Sequence, residues 1–230
     1  HSRSSPMKLR FFAPLCLSMF ASLHLEAGLQ PATAADLAAA THTINFDSVI
    51  SGTEVNGLSV DGVLFQVTLA GVPTNGLMVV DGGPGVTNNV APPNLLSLAN
   101  PPGLALSIAL PELANVFGYG YAILAFGTVP AATSMELFAG ANPLGTISFT
   151  GTPDPFFTGG LAAVKSDELF DRVVVTFSPD APAFALDNIR FGDSTNPTVP
   201  ETGSTGILLT SAGLILFASA RRGQRQRLTV

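Results

Sequence analysis

The chain has 230 residues, 47% of them hydrophobic and only 11% charged, with no Trp, one Cys and three His. A soluble globular domain carries about 25% charged residues, so apolar segments outside a folded domain weigh on the mean. The charges show where: Arg3, Lys8 and Arg10 lie at the front and Arg221, Arg222, Arg225 and Arg227 at the back, whereas between Ala35 and Gly203 three basic residues (Lys165, Arg172, Arg190) stand against fifteen acidic ones, a net of −12. A middle region of that sign excludes nucleic acid as a partner, because a phosphate backbone needs a basic surface.

In chain order, residues 1–34 read as an export leader. Translation is expected to start at Met7, Lys8 and Arg10 form the basic region, and Phe11 to Leu25 form an apolar stretch of 15 residues interrupted by Pro14. That is shorter than the roughly 20 residues of a membrane span. Ala32-Thr33-Ala34 supplies a small-x-small site, so a signal peptidase is expected to cut after Ala34. Cleavage removes Cys16, the only cysteine, and leaves His42 as the only histidine. Disulfides, thiol catalysis and Cys/His zinc sites are then excluded.

From Thr41 to Phe191 the hydrophobic pattern has a period of two and is bounded by Gly, Pro, Asn and Asp, which predicts strands. Expected strands are Thr43–Phe46, Val63–Leu69, Leu77–Val80, Leu104–Leu110, Val116–Phe126, Met135–Phe138, Thr146–Phe149, Arg172–Phe177 and Phe184–Phe191. Single helical turns are expected at Ala35–Ala40 and Ser166–Leu169. In Phe117-Gly118-Tyr119-Gly120-Tyr121-Ala122-Ile123 one face is bulky and the other nearly bare. The bulky face, with both Tyr of the chain, is expected in the core, and a sheet or loop on the bare face. Short strands at this spacing predict an all-β sandwich or barrel.

Candidate chemistry is sparse. Asp187 lies between Leu186 and Ile189 in what should be a buried strand, so its carboxylate needs a partner. One option is a hard cation, Ca²⁺, with Asp47 and the Asn188 side chain or nearby carbonyls as co-ligands; the other is a set of backbone N–H groups from a neighbouring loop. The Asp81-Gly82-Gly83-Pro84-Gly85 stretch lacks the Lys and the helix of a phosphate loop and reads as a turn. No G-x-S-x-G elbow occurs, and no pair among Glu54, Glu112, Glu136 and the Asp residues is marked as a glycosidase couple. A non-enzymatic protein is expected.

The C-terminal segment carries the most specific pattern. Val199-Pro200-Glu201-Thr202-Gly203-Ser204-Thr205 is followed by an apolar run, Gly206 to Ala220, and an Arg cluster at 221–227 led by Arg221 and Arg222. Arginines there would be retained on the cytoplasmic side and stop transfer. This order of motif, span and cluster resembles the PEP-CTERM sorting tail, also labelled an ice-binding-protein C-terminal domain, with Thr202 where the commonest form has Pro. The resemblance covers about two dozen residues and implies processing by an exosortase, a membrane-embedded protease. VPETG also looks like the sortase motif LPxTG, which would imply cell-wall attachment at Thr202.

Ile44-Asn45-Phe46-Asp47, Gly62-Val63-Leu64-Phe65 and the closing Phe184 to Phe191 (FALDNIRF) resemble the jelly-roll ectodomains carried by such proteins. The last stretch also looks like the final strand of carbohydrate-binding jelly rolls in which the Asp helps hold a structural Ca²⁺. The expected organisation is a leader (1–34), a jelly-roll-like ectodomain (35–192), a linker (193–198) and a sorting tail (199–227: motif 199–205, transmembrane 206–220, Arg cluster). The expected function is that of an exported, non-enzymatic cell-surface or matrix protein, membrane-anchored or released after processing, with extracellular polysaccharide as partner. The alternative is a glycan-binding or glycan-cleaving secreted module, or a sortase-anchored protein.

Overall fold

The structure, a computed structural model, describes residues 28–38, 40–81 and 87–193. The expected sorting motif, apolar tail span, Arg cluster, all but the first linker residue, and the leader up to residue 27 lie outside the described residues. The chain is almost entirely β: β1 (Leu29–Pro31), a short α1 (Ala34–Ala38), then β2 (His42–Ile44), β3 (Ser59–Val60), β4 (Val63–Leu69), β5 (Val72–Pro73), β6 (Leu77–Val80), β7 (Asn94–Ser97), β8 (Leu104–Ile123), β9 (Val129–Ala139), β10 (Asn142–Pro153), β11 (Thr158–Phe177) and β12 (Phe184–Gly192). Among the described residues no helix is long and apolar enough to cross a membrane.

Every pairing is antiparallel, and one continuous sheet folds on itself into a sandwich. Two strands of 20 residues, β8 and β11, run through both layers. In the first layer residues 104–109 of β8 lie between β4 and residues 172–175 of β11, and β9 and β10 continue outward. In the second, residues 116–123 of β8 lie between residues 158–165 of β11 and β12, which carries β7 and β2 on its other side. Register shifts between Lys165 and Arg172 mark where the pair passes from one layer to the other, as bulges do where a strand must bend.

Sequence explains most of these elements. Val63, Phe65 and Val67 are buried and alternate with outward Leu64 and Gln66, the period of a half-covered strand. Asp61 and Gly62 both take positive φ (49° and 83°), the two-residue turn that matches strand twist, and so join β3 to β4. Two expectations need correction. Leu104–Leu110 and Val116–Phe126 are one strand that ends at Ile123, and Ser166–Leu169 is an irregular stretch of β11, not a helical turn. There the Ser166 hydroxyl takes the Glu168 N–H (3.1 Å), offering the backbone a local partner in place of the ladder.

The core lies between the layers. Phe117, Tyr119, Tyr121 and Ile123 are all fully buried, the Phe and the Ile each worth roughly 1.5–3 kcal/mol against exposure. Tyr119 and Tyr121 therefore take the core-facing place expected of them. The Thr133 hydroxyl donates to the Thr176 carbonyl (3.0 Å), so the Tyr119 hydroxyl donates to Thr133 (2.5 Å) across the layers. Burial pushes the Tyr121 phenol up to about 12. Phe177 and Phe184 stack at 4.0 Å between centroids.

Candidate functional site

The bare face of β8 is covered, and polar side chains gather at its cover. A Cβ on Gly118 would meet Leu37 of α1 at 2.6 Å, and one on Gly120 would meet the Asn89 carbonyl oxygen at 1.9 Å. The chain at 87–91 therefore lies directly on Gly120. It is a tight turn, with the Thr87 hydroxyl accepting the N–H groups of Asn89 (3.2 Å) and Val90 (3.1 Å). Asp187 is the registered partner of Gly120 and lies under that turn, taking the Ala91 N–H.

Asp187 is 3% exposed. Its Oδ2 accepts the Ala91 N–H (3.2 Å) and the Asn188 side-chain amide (3.0 Å), while Oδ1 has no hydrogen-bond partner among the described residues. Burial chiefly, helped by the like charge of Asp47, pushes its carboxyl up to about 6. Asn188 sits in the left-handed region (φ 52°) at a register shift of β12, a conformation that Asn tolerates better than most residues. Its Nδ2 bridges the Asp187 carboxylate and the Asn89 carbonyl (3.2 Å).

The expected calcium ligands Asp47, Asp187 and Asn188 are thus brought to one neighbourhood, but as a donor set they fall short of the ion. Calcium takes six to eight oxygens. Here the Asn188 amide nitrogen, a donor, occupies the position between two oxygens that a shared cation would need. The Asp47 carboxylate accepts from Asn45 (2.5 Å). Among the described residues no group of three His, Cys, Asp or Glu side chains could hold a metal ion. Backbone N–H donation from a loop, the other option open from sequence, is the arrangement found at Oδ2.

The turn at 87–91 is tied to a second loop. The Asn88 and Asn89 side-chain amides both donate to the Asp154 carboxylate, Asn89 at 3.2 Å. Asn88, Asn89, Asn188 and Arg190, with Leu37 and Leu161, line a depression of about 190 Å³. The loop that begins at Asp154 is held by Asp154 N–H to the Phe157 carbonyl (2.8 Å) and Thr158 N–H to the Ala125 carbonyl (2.8 Å). These bonds bring Phe157 beside Phe126, 5.6 Å between centroids. Phe126 is 71% and Phe156 76% exposed. Large exposed rings on neighbouring loops are costly to leave in water unless they meet a ligand.

A sequence without Trp, whose two Tyr are expected in the core, marks no stacking surface of this kind. Phe156-Phe157 do sit between Pro155 and Thr158 outside the expected strands, whereas Phe126 is the last residue expected of a strand that in the structure ends at Ile123. The other expected groups are dispersed. His42 pairs with Glu112 (2.8 Å) and stacks on Phe191 at 4.8 Å, with no serine in the pair. Asp81 accounts for its N–H with the Ser51 hydroxyl (3.0 Å), and Gly82–Gly85 lie outside the described residues. Ala34, the expected cleavage residue, is the first residue of α1.

No protein-family model matches the chain, and no curated protein matches it. Among solved structures it is similar to a point mutant of a family 29 carbohydrate binding module (13% identity, 61% of this chain and 99% of that one, TM-score 0.32). It is also similar to the catalytic domain of a GH87 alpha-1,3-glucanase in complex with tetrasaccharides (10%, 60% and 29%, TM-score 0.33). A third is the enzymatically active domain of tailspike protein 4 of bacteriophage CBA120 (15%, 60% and 21%, TM-score 0.34).

Proposed function

We propose that this protein is an exported, non-enzymatic cell-surface or matrix module, built as a jelly-roll-like sandwich, that binds a neutral glycan at the Phe126–Phe156 ledge. The observation that carries the reading is two exposed rings on joined loops: Phe156 follows Asp154, whose carboxylate takes the amides of Asn88 and Asn89, and Phe126 meets Phe157 of the same loop. A pyranose has an apolar face of axial C–H groups and a rim of hydroxyls. The electron-rich face of a Phe ring attracts the first, and amides and a carboxylate offer donors and acceptors to the second. Such recognition needs no metal and no nucleophile.

The charge favours a neutral polymer over an acidic one. Of the three basic side chains in the described residues, Arg172 lies over the Phe138 ring (3.7 Å) and Lys165 faces Asp36 (3.5 Å), which leaves Arg190 alone in the depression. On this reading the sorting tail keeps the module on the outside: an exosortase would act at Val199 to Thr205, with Arg221 and Arg222 holding the span until then.

Two measurements test this. On an array of neutral and acidic polysaccharides the full chain is expected to retain neutral glycans without releasing sugar. Phe126→Ala with Phe156→Ala is expected to weaken retention about a hundredfold, roughly tenfold for each ring at 1–1.5 kcal/mol apiece, with an unchanged melting temperature. Undiminished retention in the double variant, or turnover of the polymer, overturns the reading. Mass spectrometry of protein from its native host is expected to find a C-terminus near Thr202; an intact tail would reduce the sorting step to plain anchoring.

A further inference from the structure

Two Asn-Gly pairs stand at turns in the first half of the domain, Asn56-Gly57 ahead of β3 and Asn75-Gly76 between β5 and β6. An Asn followed by Gly carries both partners of a ring closure: an electrophilic carbon, Cγ, and, one peptide away, a backbone nitrogen that no side chain shields. Both glycines take positive φ, Gly57 at 85° and Gly76 at 113°, so conformation at the glycine does not separate the pairs. What separates them is the group that holds each glycine N–H.

At the first pair both reacting groups are tied to neutral partners. Asn56 Oδ1 accepts the Val67 N–H (3.1 Å), and the Gly57 N–H donates to the Phe65 carbonyl (2.8 Å), an oxygen too weakly basic to take a proton. At the second pair Asn75 is exposed, and the bond that reaches it is to its main-chain carbonyl, from the Thr74 hydroxyl (3.3 Å). The Gly76 N–H donates to the Glu54 carboxylate, 3.1 Å from Oε2. The peptide that joins Asn75 to Gly76 is therefore held at both ends. A hydroxyl draws electrons from its oxygen, which acidifies its N–H, and a carboxylate stands within reach of that proton, as a general base must. A Cβ on Gly76 would meet nothing within 4 Å, so the chain has room to turn there.

We propose that Asn75 is a site of self-catalysed deamidation, with Glu54 as the general base. The Gly76 nitrogen bonds to Asn75 Cγ as Glu54 takes its proton, and Glu54 returns that proton to Nδ2, which leaves as ammonia when the Cγ–Nδ2 bond breaks. The product is a five-membered imide. Water then opens it: breaking the bond from nitrogen to Cγ gives aspartate, and breaking the bond to the main-chain carbonyl carbon gives isoaspartate. Either product places a new carboxylate close to Glu54. The isoaspartyl form also adds a methylene to the main chain just ahead of Leu77, the buried residue that opens β6 opposite Ser97. The chemistry uses no residue of the Phe126–Phe156 ledge and stands whether or not a glycan binds there.

The test is peptide mapping by mass spectrometry of the full chain kept near neutral pH, as parent and as Glu54→Gln, each folded and in urea. Gln keeps an oxygen for the Gly76 N–H but cannot take the proton, and Asn56, held by Val67 and Phe65, reports that the variant stays folded. In the folded parent Asn75 is expected to deamidate about tenfold faster than Asn56 or more, the low end of what a positioned base contributes. Glu54→Gln is expected to slow Asn75 by about the same factor and to leave Asn56 as it was. In urea the two sites are expected to converge. An Asn75 that survives as long as Asn56 in the folded parent, or that reacts more slowly folded than in urea, overturns the proposal, since the Glu54 bond would then be protective. Equal Asn75 rates in folded parent and Glu54→Gln overturn the role of Glu54.

Discussion

Gly120→Ala is expected to be the most damaging single-methyl change in the domain. Its Cβ would fall 1.9 Å from the Asn89 carbonyl oxygen and 2.6 Å from the Asn89 carbonyl carbon. These are backbone atoms, so no rotamer change relieves the overlap. Relief requires the 87–91 turn to lift, and lifting it breaks the Ala91 N–H bond to Asp187 and the Asn188 bond to Asn89. Overpacking alone costs about 1–3 kcal/mol, and a buried carboxylate stripped of donors adds to it. A loss of roughly 4 kcal/mol lowers the melting temperature by about 10 °C in a domain of this size. Gly127→Ala is the matched control, because a Cβ there meets nothing within 4 Å. Equal melting of the two variants would show that the turn does not lie on the strand.

Asp187→Asn is expected to raise stability at neutral pH and to remove a pH dependence. The folded state holds the Asp187 proton up to about pH 6, against 3.8 for the ordinary carboxyl. The folded state thus binds that proton more tightly than the unfolded chain does. The resulting stabilisation is complete below about pH 3.8 and is lost as pH rises through 6; at pH 7.5 the domain bears the full cost of a buried charge. Two pKa units correspond to about 3 kcal/mol. The neutral Asn leaves one amide hydrogen pair unpartnered at the position of Oδ1, so about 2 kcal/mol should be recovered at pH 7.5 and little at pH 4.5. The difference in melting temperature between parent and variant across pH 4.5–7.5 isolates this group from the other carboxylates. Adding calcium should move neither protein. A calcium-dependent rise in the parent that Asp187→Asn abolishes would show that the carboxylate holds a cation after all.

The strands were legible where one face meets water and the other meets the core. β4 and β6 coincide with the expected Val63–Leu69 and Leu77–Val80 because alternation and turn residues both mark them. The crossing strands were not legible in full. Residues 158–165 of β11 read Thr-Gly-Gly-Leu-Ala-Ala-Val-Lys, with small residues on both faces. Most of this stretch is buried, with Leu161 the exposed exception, and it shows no alternation. β7 failed for the same reason: all four of its residues are buried, so it has no polar face to set a period. The bare face of β8 did announce a cover, and Leu37 and the Asn89 turn supply it. Which residues would do so was not legible. Leu37 and Asn89 both lie far from Gly118 and Gly120 along the chain, and contacts at such separations are decided by topology and not by a local period.

β12 has a mechanical consequence. It is the last strand of the domain, yet it lies inside its layer, with seven registered positions against β8 on one side and β7 and β2 on the other. A pull on the chain beyond Gly192 therefore loads two ladders in shear along their length and cannot unzip them one bond at a time. The small edge strands β3 and β5 lie in a part of the sheet that such a load does not reach first. A module tethered through its C-terminus would resist drag at a strand clamped along both of its sides.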